Sequence, residues 1–391
     1  MDGHLVIVGG GAIGSAIAYF ALSDPAFRGR VSVIERDSSY ARASSALSAS
    51  SIRQQFSTPI NIALSRFGFA FLRDAAKLLE VEGDRPDIAL HESSYLYLAS
   101  PAGREVLARN HALQRTHAVD VEWLEQSQLA QRFDWLACDD LACGALGRSG
   151  EGWFDGYALL QALRRKARLL GARYIESEVC GMEQDACRVV AVTLADGARI
   201  EGDAFVNAAG PWAARVARWL GIDLPVRARK RSVFVFTCPT AIARCPLVID
   251  PCGLWFRPEG SHRFICGTSP TVDDDPDEPP LDVDHRLFDE VLWPALARRV
   301  PAFEAIRATG AWAGYYEYNT FDQNGIVGAH PHFQNLYFAN GFSGHGLQHA
   351  PGVGRGIAEL IVRGGYHSLD LSPLGLERIA AGKPLIEANV I

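Results

Sequence analysis

The sequence predicts an α/β protein carrying a second, antiparallel-sheet domain of α+β character. Three observations lead there. The chain opens with a β-α-β pattern, a run of β-rich segments lies between 231 and 267, and a strand, a glycine-rich turn and a helix close it. At 391 residues it has room for two or three domains at about 150 residues each. Its 48% hydrophobic and 21% charged content is that of an ordinary globular protein. Disordered, collagen-like and disulfide-stapled chains are excluded. The net charge of −7 lacks the basic footprint nucleic acid requires, so no nucleic-acid partner is expected. No apolar run reaches the ~18 residues of a membrane span.

The elements follow in order. His4-Leu5-Val6-Ile7-Val8 is a short strand. Gly9 to Gly14 makes a turn, and the small and apolar residues Ser15 to Leu22 continue as a helix. Val31 to Ile34 is the second strand, ending at Glu35, and a right-handed crossover is expected. Residues 58–82 have helical periodicity, and Tyr95 to Leu98 reads as a strand. Asp155 is a candidate N-cap for a helix that presents Leu159, Leu160 and Leu163 on one face and stops at Gly171. Strands are expected at 173–181, 187–194 and 203–207. Segments 231–238, 253–257 and 263–267 read as one antiparallel sheet. Residues 273–284, with seven acids and three prolines, read as an exposed loop unable to pack. A helix at 285–299, a strand at 335–339 and a final helix at about 352–362, beyond Pro351, complete the chain. The eight cysteines include no Cys-x-x-Cys pair and are expected to be reduced. No metal site is expected. The start at Met1-Asp2-Gly3 leaves no space for a leader before the first strand, so a cytoplasmic location is expected.

Gly9-x-Gly11-x-x-Gly14 follows a strand and opens a helix, which is the context a dinucleotide fingerprint needs. Gly9 permits the tight turn, Gly11 lets a pyrophosphate approach the backbone, and Gly14 lets helix and strand pack closely. The helix N-terminus offers free N–H groups to phosphates. Glu35 stands where it would bind an adenosine ribose, and an acid there disfavours a 2′-phosphate. The reading is a Rossmann-like dinucleotide domain for one dinucleotide. An NAD-dependent dehydrogenase is the competing use of the same fingerprint.

Further motifs decide which dinucleotide. The set Gly9 to Gly14, Glu35, ASSALSASSIRQQFS (43–57), VNAAGPWA (206–213) and GFSGHG (341–346), in this order over essentially the whole chain, resembles the D-amino-acid oxidase/sarcosine oxidase (DAO) family of FAD enzymes. Within it, SSIRQQFSTP, WAGYYEYNTFDQNGIVG and NGFSGHGLQHAPGVGRG resemble a mitochondrial branch linked to respiratory-complex assembly. The resemblance implies a glutathione-reductase-related DAO fold. Residues 1–90, 150–225 and 325–391 would build a discontinuous FAD-binding domain. Residues 91–149 and 226–324 would build a substrate domain whose antiparallel sheet roofs the flavin.

The implied FAD contacts are Gly9, Gly11, Ala12, Ile13, Gly14, Glu35, Arg36, Ser44, Ser45, Val179, Ala209, Gly210, Trp212, Gly341, Ser343, Gly344, His345, Gly346, Leu347 and Gln348. The candidate catalytic set is Arg53, Gln348, Tyr316, Glu317 and His345. Arg53 matches the arginine that binds the substrate carboxylate in sarcosine oxidases, and a guanidinium fork suits that group. Gln348 replaces a second cation there. Arg231 resembles an arginine near the site of some relatives. Glu317 is a candidate to hold a substrate ammonium, and Tyr316 a candidate wall. Strand alternation keeps Tyr315, Tyr316, Glu317 and Tyr318 from all lining one pocket.

Two departures bear on chemistry. Tyr315 stands where covalent members attach flavin through cysteine, so non-covalent FAD is expected. Ile265 stands where sarcosine oxidases place a lysine for oxygen activation, which favours a dehydrogenase passing electrons to a quinone or carrier rather than to oxygen. The expected reaction is oxidation of the C–N bond of a carboxylated amine by hydride transfer to flavin. The alternative is an assembly or scaffold flavoprotein with largely structural FAD.

Overall fold

A computed structural model of the chain describes residues 2–271 and 274–387. Its nucleotide-side half is built on a six-stranded sheet. Strand β1, His4–Val8, is central and wholly buried, and helix α1, Ala12–Ser23, returns the chain to the parallel neighbour β2, Arg30–Glu35. On the far side of β1 lie Ala204–Asn207, Leu336–Asn340 and Ile326–Ala329. Arg173–Glu176 extends the sheet beyond β2. Only the outermost pair, Ile326–Ala329 with Leu336–Asn340, is antiparallel. Leu5, Ile7, Val31 and Val33 point into the layer under α1, where they meet Ala16 and Ile17. Burying each of the large ones stabilises the fold by roughly 1.5–3 kcal/mol.

A second, eight-stranded sheet lies over it. Its order is Arg307–Asn319, Val226–Thr237, Arg263–Gly267, Trp255–Pro258, Leu247–Ile249, Tyr95–Ala99, Cys143–Gly147 and Val121–Glu125. The three segments expected between 231 and 267 are neighbours in it. The first two strands are long and paired over Val226 to Thr237, with one register shift at Val235/Phe236. This is the mixed α/β architecture the resemblance implies, with one difference: the eight-stranded sheet is antiparallel except where Leu247–Ile249 runs parallel to Tyr95–Ala99. Among the described residues, no helix is long and apolar enough to cross a membrane.

The helix at Asp155 forms as read: Gly156–Leu169, with the Asp155 carboxylate accepting from the Ala158 N–H at 2.8 Å. Three expectations need correction. The stretch 173–181 is two strands in two sheets, Arg173–Glu176 and Val179–Asp185. The chain changes sheet where Ser177 N donates to Glu35 O and Glu178 O accepts from Ala195 N.

The last helix starts at Gly346, not 352, and runs to Arg363 with Pro351 inside it. The proline removes the bond Leu347 O would have accepted. Packing compensates. A Cβ at Gly352 would sit 2.7 Å from Leu64 Cδ2, and one at Gly354 would sit 2.6 Å from Ala16 Cβ, so these glycines let three helices touch.

The acidic segment is largely exposed, but it packs by charge. Asp275, Asp277 and Glu278 dock on residues 227–231. Asp273 lies outside the described residues.

Candidate active site

A cleft runs along the carboxyl ends of β1 and β2. Gly9 turns the chain at its floor with φ +101°, and a Cβ there would lie 2.3 Å from Ala208 O. Gly14 lies beneath, where a Cβ would be 1.9 Å from Gly9 O. At Gly11, by contrast, a Cβ would meet only Ser45 Oγ, at 3.4 Å, so the absent side chain leaves space in the cleft itself. Gly11 caps α1 without a side chain of its own, and Ser45 Oγ accepts from Ala12 N at 3.1 Å; the positive end of the helix dipole there still favours an anion. The Glu35 carboxylate accepts from Gly10 N at 2.8 Å and Asp37 N at 3.1 Å, which orients it at the end of β2. Burial pushes its pKa up against the pull of those two donors. Arg36 lies 3.5 Å above the Trp212 ring, and Arg42 approaches the same ring at 5.5 Å. The helix start, the open glycine and the carboxylate at the end of β2 together fit a dinucleotide.

A second cleft shares Ala12, Ile13, Ser44, Ser45 and Glu317 with the first. It reaches under the long strands to Arg231, Ser232, Trp255, Tyr315, Tyr316, Gly344, Gly346 and Leu347.

Most of the expected residues meet here. Gly9, Gly11, Ala12, Ile13, Glu35, Arg36, Ser44, Ser45, Val179, Ala209, Gly210, Trp212 and Glu317 line the first cleft. Tyr316, Glu317, Gly344, Gly346 and Leu347 line the second, where Tyr315, Tyr316 and Glu317 all contribute and Tyr318 does not. Glu317 is buried, and burial pushes its pKa up to about 8 against the pull of the Gly341 and Phe342 backbone donors. Glu317, the residue expected to hold a substrate ammonium, lines both clefts.

Gly14, Arg53, Gly341, Ser343, His345 and Gln348 line neither cleft. Gly341 and Ser343 hold the turn: Gly341 N donates to Glu317 Oε2, and Ser343 Oγ accepts from Asn319 N at 2.9 Å. His345 is the buried N-cap residue of the last helix. The buried Arg53 guanidinium donates to the Tyr97 hydroxyl and stands 4.3 Å over the Phe56 ring. Gln348 Oε1 accepts from Arg53 N at 2.8 Å. The cation on the second cleft is Arg231 instead. Its fork meets Asp275 through two 2.9 Å bonds, and its guanidinium lies 5.2 Å from the Tyr316 ring. The sequence signal for this pairing was the basic run 227–231 opposite the acidic run. The signal for Trp255 and Arg42, also missed, was absent, since only tertiary contact brings them in.

A dinucleotide cleft opening into a second cleft roofed by an antiparallel sheet defines the class as flavin-dependent oxidoreductase. The chain belongs to the FAD dependent oxidoreductase (DAO) family, whose model matches residues 4–360. It is 42% identical over 421 residues to FAD-dependent oxidoreductase domain-containing protein 1 of Xenopus laevis, covering 99% of this chain and 84% of that one. Glycine oxidase of Geobacillus kaustophilus is 28% identical over 96% of both chains. A solved glycine oxidase structure from that organism superposes with TM-score 0.81 at 26% identity, over 96% of this chain and 98% of that one. L-proline dehydrogenase of P. horikoshii has the same fold, with TM-score 0.85 at 22% identity over 98% and 99% of the two chains. FAD is the family's cofactor.

Proposed function

We propose that this chain oxidises the C–N bond of a small carboxylated amine, such as a D-amino acid, an N-substituted amino acid or an opine-like compound, and that it works as a dehydrogenase. Glycine oxidase among its relatives supports the substrate class. The observation that carries the reading is Arg231 on the second cleft, directly beyond the residues shared with the dinucleotide cleft.

When bound, non-covalently, FAD would supply the two-electron acceptor. Gly9, Gly11, the N-terminus of α1 and Glu35 would hold its adenosine and phosphate portion. Tyr315, Tyr316 and Trp255 give the second cleft an apolar wall that excludes water from the reacting carbon. Arg231 receives the carboxylate and fixes the amine's orientation. Such positioning lowers a barrier by up to roughly 7–11 kcal/mol. Arg53, buried beside Tyr97, is a supporting residue rather than the receptor. Ile265 is buried in the strand Arg263–Gly267 and supplies no positive charge for oxygen activation, which favours a quinone or carrier as acceptor.

The test is anaerobic titration of the FAD-loaded protein with a panel of carboxylated amines. Bleaching of the flavin band by one of them, with slow peroxide formation in air, is expected. Bound FAD that none of them reduces would favour a structural flavin, and rapid peroxide release would overturn the dehydrogenase assignment.

A further inference from the structure

The strand Val226–Thr237 carries Arg227, Arg229, Lys230 and Arg231 in a short stretch, and the acidic segment 274–284 lies along it. Asp277 meets Arg227 at 3.5 Å and Arg229 at 3.1 Å, Glu278 N donates to Ala228 O at 2.8 Å, and Lys230 Nζ donates to Asp282 O at 3.1 Å. These contacts are at the surface: the Asp277 side chain is 55% exposed. Exposed pairs of this kind contribute little, about 0–1 kcal/mol.

The Arg231–Asp275 pair differs. Both side chains are only 11% exposed, and the carboxylate takes both terminal nitrogens of the fork in parallel bonds. Nη1 also donates to Lys230 O at 2.8 Å, and the buried Nε has no hydrogen-bond partner. Arg231, a lining residue of the second cleft, is therefore held through its guanidinium by a carboxylate of this chain.

We propose that Asp275 is a tethered carboxylate occupying Arg231 in the resting protein, and that a substrate carboxylate binds by displacing it. This rests on the reading of the second cleft as a carboxylate site. A tethered group competes at an effective concentration in the millimolar range or above. It lowers the affinity of any free carboxylate by the fraction of time Arg231 is taken. Small anions that offer a carboxylate alone are thereby rejected. An amino acid, whose remaining groups also find partners in the cleft, outcompetes the tether. Asp275 thus sets a selectivity threshold, and the nearby backbone bond from Glu278 N to Ala228 O keeps it close to Arg231.

The experiment is titration of FAD-loaded full-length protein with acetate, read by the flavin difference spectrum, with acetamide as the uncharged control. Asp275→Asn and Asp275→Ala are compared with Asp277→Asn, Arg231→Gln and the unsubstituted protein, each checked for FAD content. Both Asp275 variants are expected to bind acetate about tenfold more tightly, with acetamide binding unchanged. Asp277→Asn should stay within about twofold, and Arg231→Gln should abolish the acetate response. A purely structural clasp gives the opposite sign, since freeing Arg231 would then weaken acetate binding. Weaker or equal binding in both Asp275 variants overturns the tether while leaving the carboxylate site standing. An acetate response that survives Arg231→Gln, or none in any protein, overturns both.

Discussion

Glu317 Oε2 accepts a hydrogen bond from Gly341 N at 3.1 Å, and Glu317 Oε1 lies 2.9 Å from where a Cβ on Gly346 would stand. One buried carboxyl therefore joins the strand Arg307–Asn319 to the turn that opens the last helix. It faces both clefts across the residues they share.

That location has a consequence for stability. The Glu317 carboxyl is pushed from 4.5 up to about 8 by burial, so the folded state holds a proton the unfolded chain has released. Stability then falls as pH rises from about 4.5 to 8, by up to about 1.4 kcal/mol per unit, and levels off above. Glu317→Gln is expected to flatten this decline. Urea midpoints of the apo-protein at pH 6 and pH 9 should differ less in the variant than in the original chain.

The histidines following the turn act in the opposite direction. His349 is fully buried, with Nε2 2.9 Å from Ser65 Oγ, and burial with the nearby Arg53 charge lowers its pKa to about 3. His345, beside it, is lowered too. The unfolded chain gains these protons near pH 6.5 and the folded one does not, so stability falls as pH drops from 6.5 toward 3. His349→Gln should shift the acid-unfolding midpoint to lower pH, as followed by far-UV circular dichroism.

Gly11 and Gly14 should separate binding from folding. Gly11 has ordinary helix-entry backbone angles, φ −63° and ψ −170°, and room for a methyl group. Gly11→Ala is expected to keep the melting temperature of the apo-protein while losing at least about tenfold in FAD affinity, measured by flavin fluorescence quenching. Gly14→Ala puts its Cβ on Gly9 O. It should lower the melting temperature even without FAD.

Arg299 anchors the core beside the eight-stranded sheet. Its side chain is 2% exposed, with Nε 2.5 Å from the equally buried Asp250 and both terminal nitrogens on Asp140. Truncation leaves the Asp250 charge buried without this partner. Arg299→Ala is expected to cost about 3–5 kcal/mol in chemical unfolding. The double variant Arg299→Met with Asp250→Leu should recover much of it.

Much of the nucleotide side was legible because its signals are local. β1, the glycine turn, α1 and β2 occupy residues 4–35, and Asp155 caps its helix from three residues away. The start of the last helix was misplaced because Pro351 reads as a boundary. The close approach of Leu64 and Ala16 to Gly352 and Gly354 overrides that local preference. The break at Ser177 and Glu178 was hidden because both of the strands it separates are β-rich and only their pairing differs.

Which arginine lines the second cleft was the least legible feature. Arg53 stands between Ile52 and two glutamines and Arg231 in the basic run 227–231, and neither setting says which of them lies on the second cleft. The sequence alone determined the dinucleotide cradle and the family, since turn chemistry and hydrophobic period act over tens of residues. Tertiary structure decided which guanidinium lines the second cleft. That depends on the register of Val226–Thr237 against Arg307–Asn319 and on docking of the acidic segment, contacts between side chains far apart in the chain.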